Sequence, residues 1–115
     1  ELLKYAENSK IPVFGICRGM QIMAVREGVN LKSIEGHVKT KHLVKGEING
    51  TVNSFHDFCI EKCPKGYDIT ALGEDGCIEA IRHKTLPWEG WMWHPERESS
   101  FSETDNNRLK KMFLD

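Results

Sequence analysis

The residue best suited to covalent chemistry in this sequence is a cysteine in the run Gly15-Ile16-Cys17-Arg18-Gly19. A nucleophile with glycine two positions away on each side is typical of a sharp turn between a strand and a helix. Such a turn holds the nucleophile at strained backbone angles and points its side chain out of the sheet edge. Both glycines are expected to be required, because the strand and the helix pass too closely for a side chain. The spacing therefore predicts that Cys17 is a nucleophile.

Two features around Cys17 are expected to favour its thiolate form. A helix that begins directly after it would direct free backbone amides and the positive end of its dipole at the sulfur. The side chain of Arg18 adds a positive charge nearby, and both effects lower the pKa of a thiol. A cysteine after an apolar strand is by itself more often an inert buried thiol. The flanking glycines and the predicted elements favour the nucleophile.

A second group of residues can supply the proton transfers that thiolate attack on an amide requires. Such reactions commonly use a histidine oriented by a carboxylate, and the sequence has His94-Pro95-Glu96 after an apolar run. Residues two apart in an extended segment point to the same side. Glu96 can therefore accept a hydrogen bond from one ring nitrogen of His94 while the other nitrogen faces Cys17. A histidine at a strand end is by itself more often structural, but with Cys17 it is the best base in the chain.

A zinc site is the alternative use for the other cysteines and histidines. Cys59 and Cys63 are closely spaced and His56 is near them. Structural zinc sites usually need a second close ligand pair, which the sequence spacing does not provide. The remaining histidines have no comparable partner pattern: His37, His42 and His83. We therefore expect the chemistry to need neither a metal nor an organic cofactor.

Hydrophobic periodicity predicts the elements that position these residues. Apolar residues at helical spacing predict the end of a helix over residues 1–9 and a second helix over residues 18–27, closed by Gly28. Between them, residues 11–16 form a short apolar run that is typical of a strand buried on both faces of a parallel sheet. The order helix, strand, helix places Cys17 at the junction of the strand and the second helix.

The rest of the chain is predicted to be rich in strands until a last helix. The predicted elements, in chain order, are a surface excursion of short strands and turns over residues 31–54, antiparallel strands over residues 68–72 and 77–81, a buried strand over residues 90–93, and a helix over residues 105–114. The buried strand must stop at His94, because Pro95 lacks an amide donor and biases the residue before it toward an extended conformation.

Composition indicates one folded domain, or part of one. The 115 residues include 16 Lys and Arg against 17 Asp and Glu, a net charge of −1. This balance argues against binding of nucleic acid or a membrane surface through bulk charge, and no apolar run approaches the roughly 18 residues that span a bilayer. The four cysteines are too sparse for a disulfide scaffold. We expect a cytoplasmic protein with reduced thiols, whose chain begins within a domain.

Two segments together resemble the class I glutamine amidotransferase superfamily: Pro12-Val13-Phe14-Gly15-Ile16-Cys17-Arg18-Gly19-Met20-Gln21 and Gly90-Trp91-Met92-Trp93-His94-Pro95-Glu96. The resemblance extends over about residues 11–97. Arg18 directly after the cysteine, with residues 52–56 and 75–81, is most similar to the γ-glutamyl hydrolase branch, including γ-glutamyl-γ-aminobutyrate hydrolases. The resemblance implies a flavodoxin-like, doubly wound, mostly parallel sheet with a small antiparallel excursion. Residues 1–115 would be the C-terminal portion of that single domain, without its N-terminal strands.

The resemblance implies a role for each matching residue. Cys17 is the nucleophile, His94 the general base and then acid, and Glu96 the carboxylate that orients it. The backbone amide of Arg18 supplies one donor to the oxyanion. The residues implied to hold the glutamyl group are Gln21, Asn53, Ser54 and Phe55. Relatives supply a second oxyanion donor from an upstream glycine-rich loop. Loss of one such donor typically costs about 100 to 1000-fold in rate, so these residues alone are expected to be weakly active.

Three functions stay open under this resemblance. The first is a hydrolase that releases glutamate from γ-glutamyl amides through a thioester. The second is a glutaminase subunit that passes ammonia to a synthetase partner, and the third is a non-catalytic binding module, which the intact triad disfavours. Asp57-Phe58 stands where relatives often have His-Gln, so the side of the site that receives the amine is expected to differ. The leaving amine, whether ammonia, an amino acid, a polyamine, a folate glutamate or a nucleotide amidate, is left open.

Overall fold

The computed structural model describes residues 2–34 and 38–94, with the backbone alone at residues 38–40, 42 and 55. The described residues form a mixed α/β fold of two helices and eight strands. In chain order these are α1 (Leu2–Ser9), β1 (Val13–Ile16), α2 (Arg18–Arg26), β2 (Leu31–Ser33), β3 (Val38–Gly46), β4 (Gly50–Phe55), β5 (Phe58–Ile60), β6 (Tyr67–Gly73), β7 (Ile78–His83) and β8 (Trp88–Trp91).

Six of these strands form one sheet in the order β1-β8-β7-β6-β3-β4, and β2 pairs with β5 in a second, small sheet. Within the described residues β1 and β8 are the parallel pair, in register from Val13 opposite Trp88 to Ile16 opposite Trp91. The other pairs in the large sheet are antiparallel. Because parallel strands end at the same edge, the residues that follow β1 and β8 emerge side by side. Cys17 follows β1, and His94 lies shortly after β8.

Two apolar clusters form the core. The first joins α1 and α2 to the sheet and includes Met20, Met23 and Trp88. The second contains Trp91 and Trp93 with small and branched residues of β3, β4, β6 and β7. The rings of Trp91 and Trp93 stack with centroids 4.7 Å apart. All three tryptophans are fully buried, so they stabilise the fold through packing rather than line an open surface.

Most of the predicted elements are confirmed. Both early helices are present, and α2 ends before Gly28, whose φ of 83° needs glycine. The antiparallel pair predicted over residues 68–72 and 77–81 corresponds to β6 and β7. The helix predicted over residues 105–114 lies outside the described residues. Neither described helix is long and apolar enough to span a membrane.

Three expectations about the strands need correction. Within residues 2–34 and 38–94, β1 is not buried on both faces, because it lies at the edge of the sheet and three of its four residues are only half-buried. Residues 31–54 are more than a surface excursion, because the nine-residue β3 pairs with β6 and brings β4 into the large sheet. β8 covers Trp88–Trp91 rather than residues 90–93. These differences arise from long-range pairing, which local periodicity does not report.

Candidate active site

The turn between β1 and α2 holds Cys17 in a strained conformation. Its φ of 54° and ψ of −101° lie outside the regions that residues with a side chain normally occupy. The backbone N–H of Cys17 donates to the carbonyl of Trp91 at 2.7 Å, and the N–H of Gln21 donates to the carbonyl of Cys17 at 3.0 Å. The turn is therefore tied to β8 on one side and to α2 on the other. This geometry confirms the predicted strand-to-helix turn.

The two glycines that flank Cys17 differ in their surroundings. A Cβ at Gly15 would lie 2.7 Å from the carbonyl carbon of Gly19 and 2.8 Å from the backbone nitrogen of Met20. The predicted close approach of the strand and the helix is therefore confirmed at Gly15. At Gly19 a Cβ would meet no atom of the described residues within 4 Å. The predicted steric need for glycine at this position is therefore not observed. The sequence analysis missed Gly90, where a Cβ would lie 2.9 Å from Cγ of Met20.

The environment of the cysteines favours Cys17 as the reactive thiol. Cys17 is half-buried at the start of α2, where backbone amides lack intrahelical acceptors. Burial raises the pKa of the Cys63 thiol. Burial also raises the pKa of Cys77, and a hydrogen bond with Cys59 adds to that shift. Cys59 is itself fully buried. Because the thiolate is the nucleophile, Cys17 is the best placed of the four to react.

The backbone of His94 is held from both sides by the side chain of Asn53. The N–H of His94 donates to Oδ1 of Asn53 at 2.8 Å, and Nδ2 of Asn53 donates to the carbonyl of His94 at 2.8 Å. Asn53 is buried in β4, which is separated from β8 by three strands in the sheet order. The end of β4 therefore lies against the segment that follows β8. Asn53 was predicted to contact substrate, and that role stays a prediction; in the structure its side chain binds the backbone of His94.

Two more of the predicted binding residues have partners within the protein. Nε2 of Gln21 donates to the carbonyl of Phe58 at 3.2 Å, which ties α2 to β5. Oγ of Ser54 lies 3.5 Å from Nδ1 of His56, and both residues are buried. Their roles in holding a glutamyl group stay predictions. Sequence reasoning had no signal for these internal contacts, because each joins residues of different elements or depends on burial.

The other predicted site residues are described only in part. Glu96 lies outside the described residues. Phe55 ends β4, and its side chain also lies outside the described part. Arg18 is the first residue of α2, directly after Cys17. Its backbone amide is therefore one of the first-turn amides that have no acceptor within the helix. The arrangement provides a thiol on a strained backbone and first-turn amides, with His94 on the segment that follows the neighbouring parallel strand. A thiol, amide donors and an imidazole are the groups that acyl transfer requires.

Comparison with known proteins gives one family. The family described as "Glutamine amidotransferase class-I" matches residues 1–115. The γ-glutamyl-CDP-amidate hydrolase of Campylobacter jejuni is 33% identical over 102 residues, which cover 89% of this chain and 51% of that protein. The anthranilate synthase component 2 of Thermococcus kodakarensis is 29% identical over 116 residues, which cover 91% of this chain and 60% of that protein.

A solved structure supports the same fold. The glutamine amidotransferase structure from Thermotoga maritima has a TM-score of 0.73 and 18% identity, and the match covers 99% of this chain and 55% of that one. The chain thus spans about half the length of the curated relative from Campylobacter jejuni. The predicted α/β fold is confirmed by this likeness, although within the described residues the antiparallel part of the sheet is larger than a small excursion.

Proposed function

Since this chain belongs to the class-I glutamine amidotransferase family, we propose that its full-length protein is a cysteine-dependent hydrolase of γ-glutamyl amides. The substrate is glutamine, or the γ-glutamyl adduct of a small amine or of a nucleotide amidate. The observation that carries the proposal is the strained turn at Cys17, held by its hydrogen bond to Trp91 of the strand that leads to His94. Residues held at such strained backbone angles cluster at active sites.

The reaction begins with the Cys17 thiolate, which attacks the γ-carbonyl carbon and forms a carbon–sulfur bond. The carbonyl oxygen becomes an oxyanion and accepts hydrogen bonds from backbone amides, including that of Arg18. The carbon–nitrogen bond then breaks, and the leaving amine takes a proton from the imidazolium of His94. Glu96 orients the ring and stabilises its charged form. The product of this half-reaction is a glutamyl thioester.

The second half-reaction restores the enzyme. Neutral His94 accepts a proton from water while the water oxygen attacks the thioester carbon. The carbon–sulfur bond breaks, glutamate leaves, and Cys17 returns to its thiolate form beside the imidazolium. The clamp of Asn53 on the backbone of His94 supports both steps, because the ring must face the sulfur and then the water without a change of backbone position.

A second candidate is a glutaminase subunit that delivers ammonia to a synthetase. It is supported by similarity to a protein named as component 2 of anthranilate synthase. The hydrolase is favoured by Arg18 directly after the nucleophile and by residues 52–56 and 75–81, which resemble the γ-glutamyl hydrolase branch. Similarity to a protein named γ-glutamyl-CDP-amidate hydrolase supports the same choice. The four cysteines form no disulfide in the described part of the chain, as is usual in the reducing cytoplasm that we propose as the location of this protein.

We also propose that these residues form part of a longer domain, whose other part covers the free edge of β1. β1 ends the described sheet, so the side facing away from β8 has unpaired backbone groups. An apolar groove of about 750 Å³ lies beside it between α1 and α2. Leu2, Ile22 and Val25 are more than half exposed around that groove. A strand and a helix supplied by the rest of the domain would bury this surface.

The proposed activity is tested by an assay of the full-length protein with a panel of γ-glutamyl amides. The panel contains glutamine, γ-glutamyl-aminobutyrate, a γ-glutamyl polyamine, a folate polyglutamate and a γ-glutamyl nucleotide amidate. A stand-alone hydrolase releases glutamate from at least one of them without a partner. Glutaminase activity that appears only after a synthetase is added would favour the second candidate. Absence of turnover and of thioester formation under both conditions would refute both.

Replacement of Asn53 by leucine is expected to lower kcat about 10 to 100-fold while KM changes little. Leucine has a similar volume but leaves both backbone groups of His94 without their partner, so the ring moves away from its working position. The kinetic constants of the full-length variant measure this directly. A raised KM with unchanged kcat would instead place Asn53 on the substrate, as the family resemblance implies.

A matched control for this substitution exists in the turn between β3 and β4. Oδ1 of Asn49 accepts from the N–H of Gly46 at 3.2 Å, and its Nδ2 donates to the carbonyl of Gly46 at 2.8 Å. Asn49→Leu therefore removes the same pair of side-chain-to-backbone hydrogen bonds, but from Gly46, which has no proposed catalytic role. We expect its kcat to stay within about twofold of the wild type. A similar loss in both variants would indicate a general effect on folding.

A further inference from the structure

A second cluster of chemically reactive side chains includes none of the residues of the Cys17 turn. His56 follows β4, Cys77 precedes β7 and Glu79 lies within β7. One ligand atom from each of the three lies within 4.8 Å of the others. Nε2 of His56 is 3.8 Å from Oε2 of Glu79, and both side chains are at least 99% buried. The fold thus collects an imidazole, a thiol and a carboxylate in a site that excludes water.

The three donor types suit a zinc ion, and so does the distance between His56 and Glu79. Zinc binds thiolate, imidazole and carboxylate ligands at about 2.0 to 2.3 Å in a tetrahedron. Ligand atoms around such an ion are then separated by about 3.3 to 3.8 Å, a range that includes the distance between His56 and Glu79. A thiolate and an imidazole also favour zinc over magnesium or calcium, which prefer oxygen ligands. A zinc ion bound by both His56 and Glu79 would compensate the charge of this deeply buried carboxylate.

The residues around the cluster supply what a bound zinc ion would need beyond its first ligands. Oγ of Ser54 lies 3.5 Å from Nδ1 of His56. A partner on that nitrogen orients the ring and leaves Nε2, the nitrogen that faces Glu79, to bind the metal. Cys59 is fully buried and hydrogen-bonded to Cys77. Its thiol therefore lies beside the cluster and is our candidate for the fourth ligand.

The fold also supplies the second ligand pair that the sequence spacing lacks. Cys59 and Cys63 were considered together with His56, but Cys63 donates to the carbonyl of Tyr67 at 3.2 Å and is not part of the cluster. The pair comes instead from Cys77 and Glu79, which are two residues apart at the start of β7. We propose that His56, Cys77 and Glu79 bind a structural Zn²⁺ ion, which ties the end of β4 to β7.

The proposal is tested by measuring the metal content of the full-length protein after loading with zinc and removal of the unbound ion. We expect about one zinc per chain in the wild type and at least about a tenfold lower content in Cys77→Ser and Glu79→Gln. Cys63→Ser is the matched control, because it removes a thiol outside the cluster, and its zinc content should equal that of the wild type. Cys17→Ala should also keep its zinc, which separates this site from the thiol of the proposed active site.

Cobalt provides a second measurement that reports the ligand itself. Co²⁺ in the same site should give thiolate-to-cobalt charge-transfer absorption in the wild type and in Cys63→Ser, and none in Cys77→Ser. Because substitution of a buried ligand can unfold the protein, Ser54→Ala serves as a milder variant. It should fold normally, by circular dichroism, and bind zinc about tenfold more weakly.

Three results would overturn the proposal. They are a wild-type protein that retains no zinc, a folded Cys77→Ser variant that retains as much as the wild type, and zinc that is lost on Cys17→Ala. None of these measurements uses enzymatic activity. The zinc proposal and the proposed hydrolase can therefore fail separately.

Discussion

Cys17→Ala is expected to lower the rate of γ-glutamyl amide hydrolysis by the full-length protein about 10⁴-fold or more. Alanine removes the atom that forms the thioester, and no other described thiol can replace it. Cys59 and Cys77 are buried, and Cys63 donates to the carbonyl of Tyr67. The residual rate should reflect binding and oxyanion stabilisation alone. Steady-state release of glutamate, with the substrate identified by the panel, measures the loss.

The thiol also gives a direct chemical readout that does not depend on turnover. A glutamine-like electrophile should label the wild-type protein once per chain at Cys17, as located by mass spectrometry, and should not label Cys17→Ala. Cys63→Ser is the matched control, and it should retain both activity and labelling. Hydrolysis that persists in Cys17→Ala, or labelling that moves to another cysteine without loss of activity, would contradict the assignment of the nucleophile.

The features that sequence reasoning predicted correctly are those that depend on short stretches of chain. The turn at Cys17 is predicted by an apolar strand before it, a helix after it and a glycine two residues away on each side. All of these signals are local in the sequence. The pair β6 and β7 follows in the same way from two apolar runs around a glycine-containing turn. In both cases the chemistry of the turn and the periodicity of its flanks predict the same structure.

The features that were missed depend on contacts between distant residues. β3 and β4 look like surface strands in sequence because their apolar residues alternate weakly, yet the pairing of β3 with β6 makes them part of the large sheet. That pairing brings Asn53 to the backbone of His94, 41 residues away. An asparagine that clamps a backbone segment has the same local sequence as one that contacts a ligand. Only the fold shows that Asn53 contacts the backbone of His94.

The buried cluster shows the same limit for metal ligands. Metal-site predictions from sequence depend on ligands that are close together in the chain. On that basis Cys59 and Cys63 were the cysteine pair considered for a zinc site. The structure separates that pair and joins His56 to Cys77 and Glu79, which lie more than 20 residues further along the chain. Cys77 and Glu79 carry no signal by themselves, because alternation along β7 is also what an ordinary half-buried strand shows.

The largest effect on stability is expected from Gly15→Ala, which should lower the free energy of unfolding by about 3 kcal/mol or more. The added Cβ would lie within 2.9 Å of three backbone atoms of Gly19 and Met20. Backbone in the first turn of α2 cannot move aside without displacing the helix from β1. The shift would also move Cys17, so we expect activity to fall with stability. Urea unfolding of the full-length variant measures the first effect, and glutamate release measures the second.

Gly90→Ala provides the graded comparison, because its new Cβ meets mainly a side chain. The nearest atoms are Cγ and Cβ of Met20 at 2.9 and 3.0 Å. A change of the methionine χ1 angle moves Cγ but leaves Cβ fixed to α2, so only part of the contact can be relieved. We therefore expect a smaller loss of about 2 kcal/mol. Equal losses of unfolding free energy in the two variants would mean that the backbone between β1 and α2 moves as easily as the Met20 side chain. The strain at Cys17 would then not be maintained by close packing at Gly15, and another support for the turn would be required.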